Sequence, residues 1–126
     1  MQVTGIHHIG LPVYDLARAE KFYHDVLGLN RSAIPSYNPA TIVFLDCGPS
    51  LIHLIRYADG VQRQGRKGVH WAFEVDDLEA AYRRVVDAGA ELETEIKLRP
   101  DNTPYFFFYD SEGNRIELCN HDLWRR

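Results

Sequence analysis

The fold is decided by two similar stretches, Gly5-Ile6-His7-His8-Ile9-Gly10-Leu11-Pro12-Val13 and Lys67-Gly68-Val69-His70-Trp71-Ala72-Phe73-Glu74-Val75. His8 aligns with His70, and the same offset is kept when Asp15 is aligned with Asp77 further along the chain. Chance supplies isolated matches, but not a register that is kept through a strand, a helix cap and a helix. The two stretches therefore indicate an internal duplication.

The duplication extends to the end of each half. Ile52-His53-Leu54 resembles Ile116-Glu117-Leu118 at a slightly longer offset, which fits a short loop insertion in the second copy. The 126 residues are therefore expected to form a single domain of two modules, the first about 1–57 and the second about 68–126. Residues 58–67, with their glycines and basic side chains, are the predicted linker.

Each half has the pattern of one strand, one helix and three further strands. In the first half the apolar stretches predict strands at about 3–13, 31–36, 41–47 and 50–57. In the second half they predict strands at about 69–75, 91–98, 104–109 and 114–119. Asp15 and Asp77 are placed as helix N-caps, and Gly28 and Gly89 as helix ends. The sequence therefore predicts an α+β fold of two tandem βαβββ modules.

The composition excludes several classes of protein. The chain is 45% hydrophobic and 25% charged with a net charge of −4, which is typical of a globular protein. Nucleic acid is not an expected partner, because its binding usually needs a basic face. The chain has no long apolar run and no basic-then-apolar leader, so we expect neither a membrane span nor secretion. Cys47 and Cys119 are expected to be free thiols, which fits a cytoplasmic location.

Strand alternation places one histidine of each module on the face opposite the helix. In the first strand His8 shares a face with small side chains, opposite the bulky row Ile9, Leu11 and Val13. In the fifth strand His70 is opposite the bulky row Val69, Trp71, Phe73 and Val75. His53 and Glu117 occupy equivalent places on the last strand of each module.

These three imidazoles and one carboxylate predict a metal centre. Pseudo-twofold symmetry of the modules would bring His8, His53, His70 and Glu117 to one point. This donor set suits zinc, iron(II), nickel, manganese or cobalt, with positions left open for water or substrate. Without a metal, a half-buried cluster of this kind would be costly.

Other aromatic and imidazole side chains have simpler expectations. Tyr105, Phe107 and Tyr109 alternate along one strand and are predicted to form an aromatic wall of a substrate pocket. His7 is predicted to point away from His8 and to be structural. The two further histidines are predicted to lie at the surface, at His24 and His121.

Several motifs together carry a family resemblance. They are Ile6–Val13, Asp15-Leu16, Phe22-Tyr23 and Leu27-Gly28-Leu29 in the first half, and His70–Leu78 and Asp110–Leu118 in the second. With them the chain resembles the vicinal oxygen chelate superfamily, which includes glyoxalase I, bleomycin- and fosfomycin-resistance proteins, methylmalonyl-CoA epimerase and extradiol dioxygenases. The resemblance covers essentially the whole chain. It implies a cupped, incompletely closed mixed sheet of eight strands around a divalent metal, and a homodimer.

The resemblance also implies roles for individual residues. His8, His70 and Glu117 match positions that bind the metal in this superfamily. His53 stands where glyoxalase I relatives usually have a glutamate that binds metal and takes part in proton transfer. A neutral imidazole can also ligate, and it can act as a base near neutral pH. We therefore expect a metal-dependent lyase or isomerase of glyoxalase type, acting on a small substrate with vicinal oxygens, with Glu117 or His53 as the general base.

Two alternatives stay open. An extradiol-type dioxygenase would share the ligand set, but Phe107 occupies the position where that branch has a tyrosine, and Ser111 replaces its proline. A bleomycin-resistance-like protein would bind a small molecule without a metal. Members of that group typically lose the ligand residues, whereas this chain has a potential ligand at all four positions.

Overall fold

The computed structural model describes residues 1–57 and 69–120. The chain divides into two compact units, Met1–Val61 and Gln62–Arg126. The predicted linker 58–67 and the predicted surface residue His121 lie outside the described residues. Within the described ranges, no helix has the length and apolar character needed to cross a membrane.

Unit one is a three-stranded sheet with one helix. Its elements are β1 (His8–Val13), α1 (Leu16–Leu27), β2 (Ile42–Cys47) and β3 (Ser50–Arg56). The strand order is β1-β3-β2, with β1 parallel and β2 antiparallel to β3. One face of β1 and the apolar side of α1 contribute to the buried core through Leu11, Val13, Ala19, Tyr23 and Val26. Burial of this row leaves the opposite face of β1 for His8, as predicted.

Unit two repeats this arrangement with more strands. Its elements are β4 (Trp71–Glu74), α2 (Leu78–Asp87), β5 (Glu91–Leu92), β6 (Lys97–Leu98), β7 (Pro104–Tyr109) and β8 (Arg115–Cys119). The order is β4-β8-β7-β5, and β6 also pairs with β7. As in unit one, the first strand lies parallel to the last, because β4 is parallel to β8. The described strands thus form one sheet in each unit, and the predicted α+β class is confirmed.

The predicted helix ends are also found. The Asp15 carboxylate accepts a hydrogen bond from the Arg18 backbone N–H at 3.0 Å, and Asp77 accepts one from Ala80 at 3.0 Å. Gly28 has φ 70°, a left-handed conformation that favours glycine, and its backbone N–H donates to the His24 carbonyl. Each helix therefore starts and stops where its own sequence satisfies the free backbone groups.

The prediction of a strand over 31–36 is wrong. The segment forms only one isolated β-bridge, between Arg31 and Leu45. Two turns of the backbone explain the difference. The Ser32 hydroxyl accepts a hydrogen bond from the Ile34 N–H at 3.1 Å, and Ser36 accepts one from Asn38 at 3.2 Å. Such local bonds compete with strand pairing, and Pro35 lacks an N–H to donate.

The strand predicted over 91–98 is interrupted rather than continuous. The backbone N–H groups of Glu93 and Thr94 both donate to the Phe107 carbonyl, at 2.9 and 3.2 Å. The Thr94 hydroxyl in turn accepts a hydrogen bond from the Phe107 N–H at 2.9 Å. Two residues therefore oppose one on β7, as in a β-bulge, and β5 and β6 become separate short strands.

Candidate metal centre

Unit one brings His8 and His53 together. In the parallel pairing of β1 with β3, Gly10 is the partner of His53. The two imidazole rings are stacked, with centroids 3.9 Å apart and planes 13° from parallel. On its other side, the His53 ring stacks against Phe44 at 4.0 Å. This imidazole pair, His8 and His53, is thus held in one orientation by packing.

His53 has a polar atom that the protein leaves unsatisfied. Its side chain is buried, and its Nε2 has no hydrogen-bond partner among the described residues. Burial lowers the pKa of the His53 imidazole below its usual value, and the neighbouring His8 and His7 lower it further. The ring is therefore neutral near pH 7, with a ring nitrogen able to offer a lone pair.

His7 differs from its predicted place. Its Nδ1 lies 2.8 Å from the Nδ1 of His8, and the two rings meet edge to face at 5.1 Å. His7 precedes the first residue of β1, so the alternation of a regular strand does not apply to it. In this contact one Nδ1 donates and the other accepts, so His7 restrains the imidazole of His8, the first residue of β1.

Unit two brings together His70 and Glu117. His70 directly precedes β4, and Glu117 lies on β8 as the partner of Ala72. The His70 Nε2 lies 3.6 Å from the Glu117 Oε1, and the carboxylate is buried. This His–Glu pair occupies the place that the imidazole pair has in unit one, since Gly10 and Ala72 are equivalent positions of the repeat.

An arginine that the sequence interpretation missed binds the same carboxylate. The Arg99 Nη2 donates to the Glu117 Oε1 at 2.8 Å, and its guanidinium lies over the Tyr105 ring at 4.1 Å from the centroid. Arg99 belongs to no motif and follows a two-residue strand, so its sequence position gave no signal. Its place on this face follows from the register of β6 against β7. Lys97 pairs with Tyr105, and Arg99 lies two residues further along the chain.

A second guanidinium on this face has its own carboxylate. Arg115 donates to both oxygens of Glu93, from Nε at 3.0 Å and from Nη2 at 2.7 Å. The Tyr109 hydroxyl also donates to Glu93 at 2.6 Å, and the Arg115 guanidinium lies 3.8 Å from the centroid of the Phe107 ring. Both members of the ion pair are about nine-tenths buried. This paired, bidentate geometry indicates a structural ion pair.

The three predicted pocket residues share one face, as expected from their alternation. Tyr105, Phe107 and Tyr109 pair with Cys119, Glu117 and Arg115 respectively, so their side chains lie on the face of the His–Glu pair. Phe107 and Tyr109 are buried and Tyr105 is partly exposed. Two of the rings support guanidinium groups. Their role as a pocket wall stays a prediction.

Cys119 lies two residues after Glu117 on β8, and its thiol is buried. Burial is the main cause that raises the pKa of its thiol to about 12, and the adjacent Glu117 charge adds to the shift. The Sγ contacts the Phe73 carbonyl at 3.6 Å. The group is therefore a protonated thiol at neutral pH.

Each unit on its own holds two potential ligands. Among residues 1–57 and 69–120, no group of three or more His, Cys, Asp or Glu side chains is arranged to hold a metal ion. His24, predicted at the surface, is exposed on α1. The structure thus gives one imidazole pair and one His–Glu pair, at equivalent places of the two units.

Comparison with known proteins identifies the family. The family model of the Glyoxalase/Bleomycin resistance protein/Dioxygenase superfamily matches residues 5–118. The chain belongs to this superfamily. The predicted resemblance is thereby confirmed, and the match includes all four candidate ligands.

Relatives in this superfamily have different named activities. The chain is 34% identical to a lactoylglutathione lyase of Haemophilus influenzae, over 92% of each chain. It is 31% identical to the glutathione transferase FosA of Serratia marcescens, over 92% of this chain and 80% of the relative. A glyoxylase-like domain-containing protein of Didymella fabae is also 31% identical, over 94% and 92% of the two chains.

Solved structures agree on the fold. A lactoylglutathione lyase from Agrobacterium tumefaciens matches with a TM-score of 0.77 and 22% identity, over all of both chains. The fosfomycin resistance protein FosX from Listeria monocytogenes matches with a TM-score of 0.78 and 20% identity, over 94% of each. At such identities the likeness supports the glyoxalase-like α+β fold alone.

The buried ion pair on this face gives a stability prediction. Glu93→Gln leaves the buried Arg115 charge without its carboxylate, so the free energy of unfolding should fall by about 3 kcal/mol. The matched control is Glu79→Gln, because Glu79 forms an exposed pair with Arg83 at 3.8 Å. Its loss should cost less than about 0.5 kcal/mol. Urea denaturation of both variants measures the difference, and equal effects would contradict a structural role for the Glu93 pair.

Proposed function

We propose that this protein is a divalent-metal-dependent enzyme of glyoxalase type, a lyase or isomerase that acts on a small substrate with vicinal oxygens. In this proposal His8, His53, His70 and Glu117 bind one metal ion. The donor set of three imidazoles and one carboxylate suits zinc, nickel, iron, manganese or cobalt.

The proposal depends most on the His53 Nε2. A buried nitrogen without a partner costs roughly 1–3 kcal/mol, so a protein that keeps one is expected to use it. Its ring is oriented by stacking between His8 and Phe44, and it is neutral at physiological pH. A neutral, oriented imidazole with an unused nitrogen fits a metal ligand.

The His–Glu pair supports the same proposal from unit two. Glu117 is a buried carboxylate that already attracts two cationic or potentially cationic groups, Arg99 and His70. A buried carboxylate of this kind can compensate the positive charge of a divalent cation. The repeat makes Glu117 equivalent to His53, and this equivalence favours a shared role over two unrelated ones.

The chemistry follows from the kinds of side chain present. A bound divalent ion supplies Lewis-acid polarisation of a substrate oxygen. Whichever of His53 and Glu117 leaves the metal during turnover would take a proton from the carbon next to the polarised carbonyl. We propose one of these two residues as the general base.

The metal-free binding protein is the less favoured reading. A protein that only sequesters a small molecule has no need of an unpartnered buried imidazole nitrogen. The dioxygenase reading shares the proposed ligands, but Phe107, which fills the position of that branch's tyrosine, packs against Arg115 and has no hydroxyl. Within our proposal the protein works in the cytoplasm as a homodimer, as the resemblance implies.

Metal binding is the first test of the proposal. Protein purified without chelator should contain, or take up on titration, about one equivalent of a divalent transition metal. His53→Ala should weaken the affinity at least about a hundredfold, because even loss of an outer-sphere partner costs tenfold or more. His24→Ala is the matched control, since His24 is an exposed histidine of α1. Elemental analysis and calorimetry measure both quantities.

Absence of metal uptake by the folded parent protein would contradict the proposal. An affinity of His53→Ala equal to that of His24→Ala would remove His53 from the ligand set.

Proton transfer tests the proposed reaction type. The metal-loaded protein should exchange the proton on the carbon that carries the hydroxyl group in an α-hydroxy carbonyl compound for deuterium. Suitable probes are hydroxyacetone and S-lactoylglutathione, which is part of the name of one relative. NMR in deuterated water follows the exchange. Glu117→Gln or His53→Gln should slow it by about a hundredfold or more. Metal-loaded protein that exchanges no proton in a panel of such compounds would contradict the lyase or isomerase assignment.

A further inference from the structure

The backbone around His7 is attached to the start of β3. The Leu51 N–H donates to the His7 carbonyl at 3.3 Å. One residue earlier, the Ile6 carbonyl accepts a hydrogen bond from the Ser50 hydroxyl at 3.1 Å. Both bonds tie the segment that precedes β1 to the first residues of β3, and they hold the His7 side chain beside His8.

Stacking alone does not decide which nitrogen His8 presents. Its ring lies 13° from parallel to the ring of His53, with the centroids 3.9 Å apart. A half-turn of the His8 ring about its Cβ–Cγ bond would leave the stacked faces in contact, but it would exchange the positions of Nδ1 and Cδ2. A directional contact at the ring edge is needed to fix the orientation, and a hydrogen bond is such a contact.

His7 makes this contact. Its Nδ1 lies 2.8 Å from the His8 Nδ1, and the planes of the two rings are 82° apart. After a half-turn, the His8 ring would place a carbon–hydrogen edge against the His7 nitrogen and lose the hydrogen bond. Because His7 engages Nδ1 of His8, Nε2 is the nitrogen with which His8 can bind a metal.

The same hydrogen bond decides where the His8 proton lies. A neutral imidazole has one N–H, so Nε2 can offer a lone pair only when the proton is on Nδ1. In that state the His8 Nδ1–H donates and the His7 Nδ1 accepts. Imidazoles that bind metals are oriented by an acceptor at the other ring nitrogen, and loss of that acceptor lowers metal affinity by about 10- to 100-fold.

We propose that His7 is a positioning residue of the metal centre. Its Nδ1 accepts the Nδ1 proton of His8 and thereby presents Nε2 of His8 for ligation. This inference rests on the proposed metal-dependent function and adds a residue to it. His7 itself does not bind the metal, since its Nδ1 is used by His8.

Two substitutions at His7 separate the hydrogen bond from the ring contact. His7→Asn puts an amide oxygen near the place of Nδ1 and can still accept, whereas His7→Phe keeps an aromatic edge without an acceptor. In calorimetric titrations with zinc, His7→Phe should bind about tenfold or more weakly than the parent protein, and His7→Asn less than about threefold more weakly. His24→Ala is the matched control and should bind zinc like the parent, because His24 is exposed on α1.

Nitrogen-15 NMR of the unchanged, zinc-loaded protein gives a readout that depends on no variant. It distinguishes the protonated ring nitrogen of a histidine from the nitrogen that binds a metal. We expect His8 to keep its proton on Nδ1 and to bind zinc through Nε2. The His7 ring, whose Nδ1 accepts, should have its own proton on Nε2.

If zinc binds and His8 ligates through Nδ1, or if His7→Phe binds zinc as tightly as the parent, the inference about His7 is overturned and the metal function stands. Equal weakening by His7→Asn and His7→Phe would also overturn it, because the effect would then not come from the acceptor. If the folded protein takes up no metal, the proposed function fails, and this inference fails with it.

Discussion

The parallel pairing of the first and last strands of each unit is the constraint on which the rest of the structure depends. In unit one it sets Gly10 beside His53, and in unit two it sets Ala72 beside Glu117. The small residues Gly10 and Ala72, each on the first strand of its unit, leave room on the face opposite the helix. A slip of one residue would move every side chain of the strand to the other face. The helix-facing apolar rows oppose such a slip, because it would expose them to water.

The two units have different side chains at the same position of the repeat. In unit one the residue on the last strand is a neutral imidazole, stacked between two rings and left with a buried nitrogen that has no partner within the described range. In unit two it is a buried carboxylate that pairs with Arg99 and lies 3.6 Å from the His70 imidazole. Two arginines lie on that face, and they differ in how their charge is compensated. Arg115 pairs with Glu93, whereas Arg99 pairs with Glu117 itself.

Much of the fold could be predicted, because its signals are local or repeated. Asp15 and Gly28 mark their helix by hydrogen bonds with nearby residues, and alternation fixes the face of His8. The duplication predicted that His8, His53, His70 and Glu117 occupy related places, and the structure adds the pairings of His8 with His53 and of His70 with Glu117. The interrupted strand at Glu93 and the contact of Arg99 with Glu117 depend on tertiary pairing with β7, for which a single sequence has no pattern. His7 was misplaced because it lies just outside the regular strand.

The central claim is that the imidazole pair and the His–Glu pair bind the same metal ion. X-ray absorption spectroscopy of the zinc-loaded protein tests it most directly, because it counts the imidazoles around the metal and detects sulfur. We predict three imidazoles and carboxylate oxygen at about 2.0–2.2 Å, with no sulfur. Two or fewer imidazoles, or a zinc–sulfur distance near about 2.3 Å, would contradict the claim.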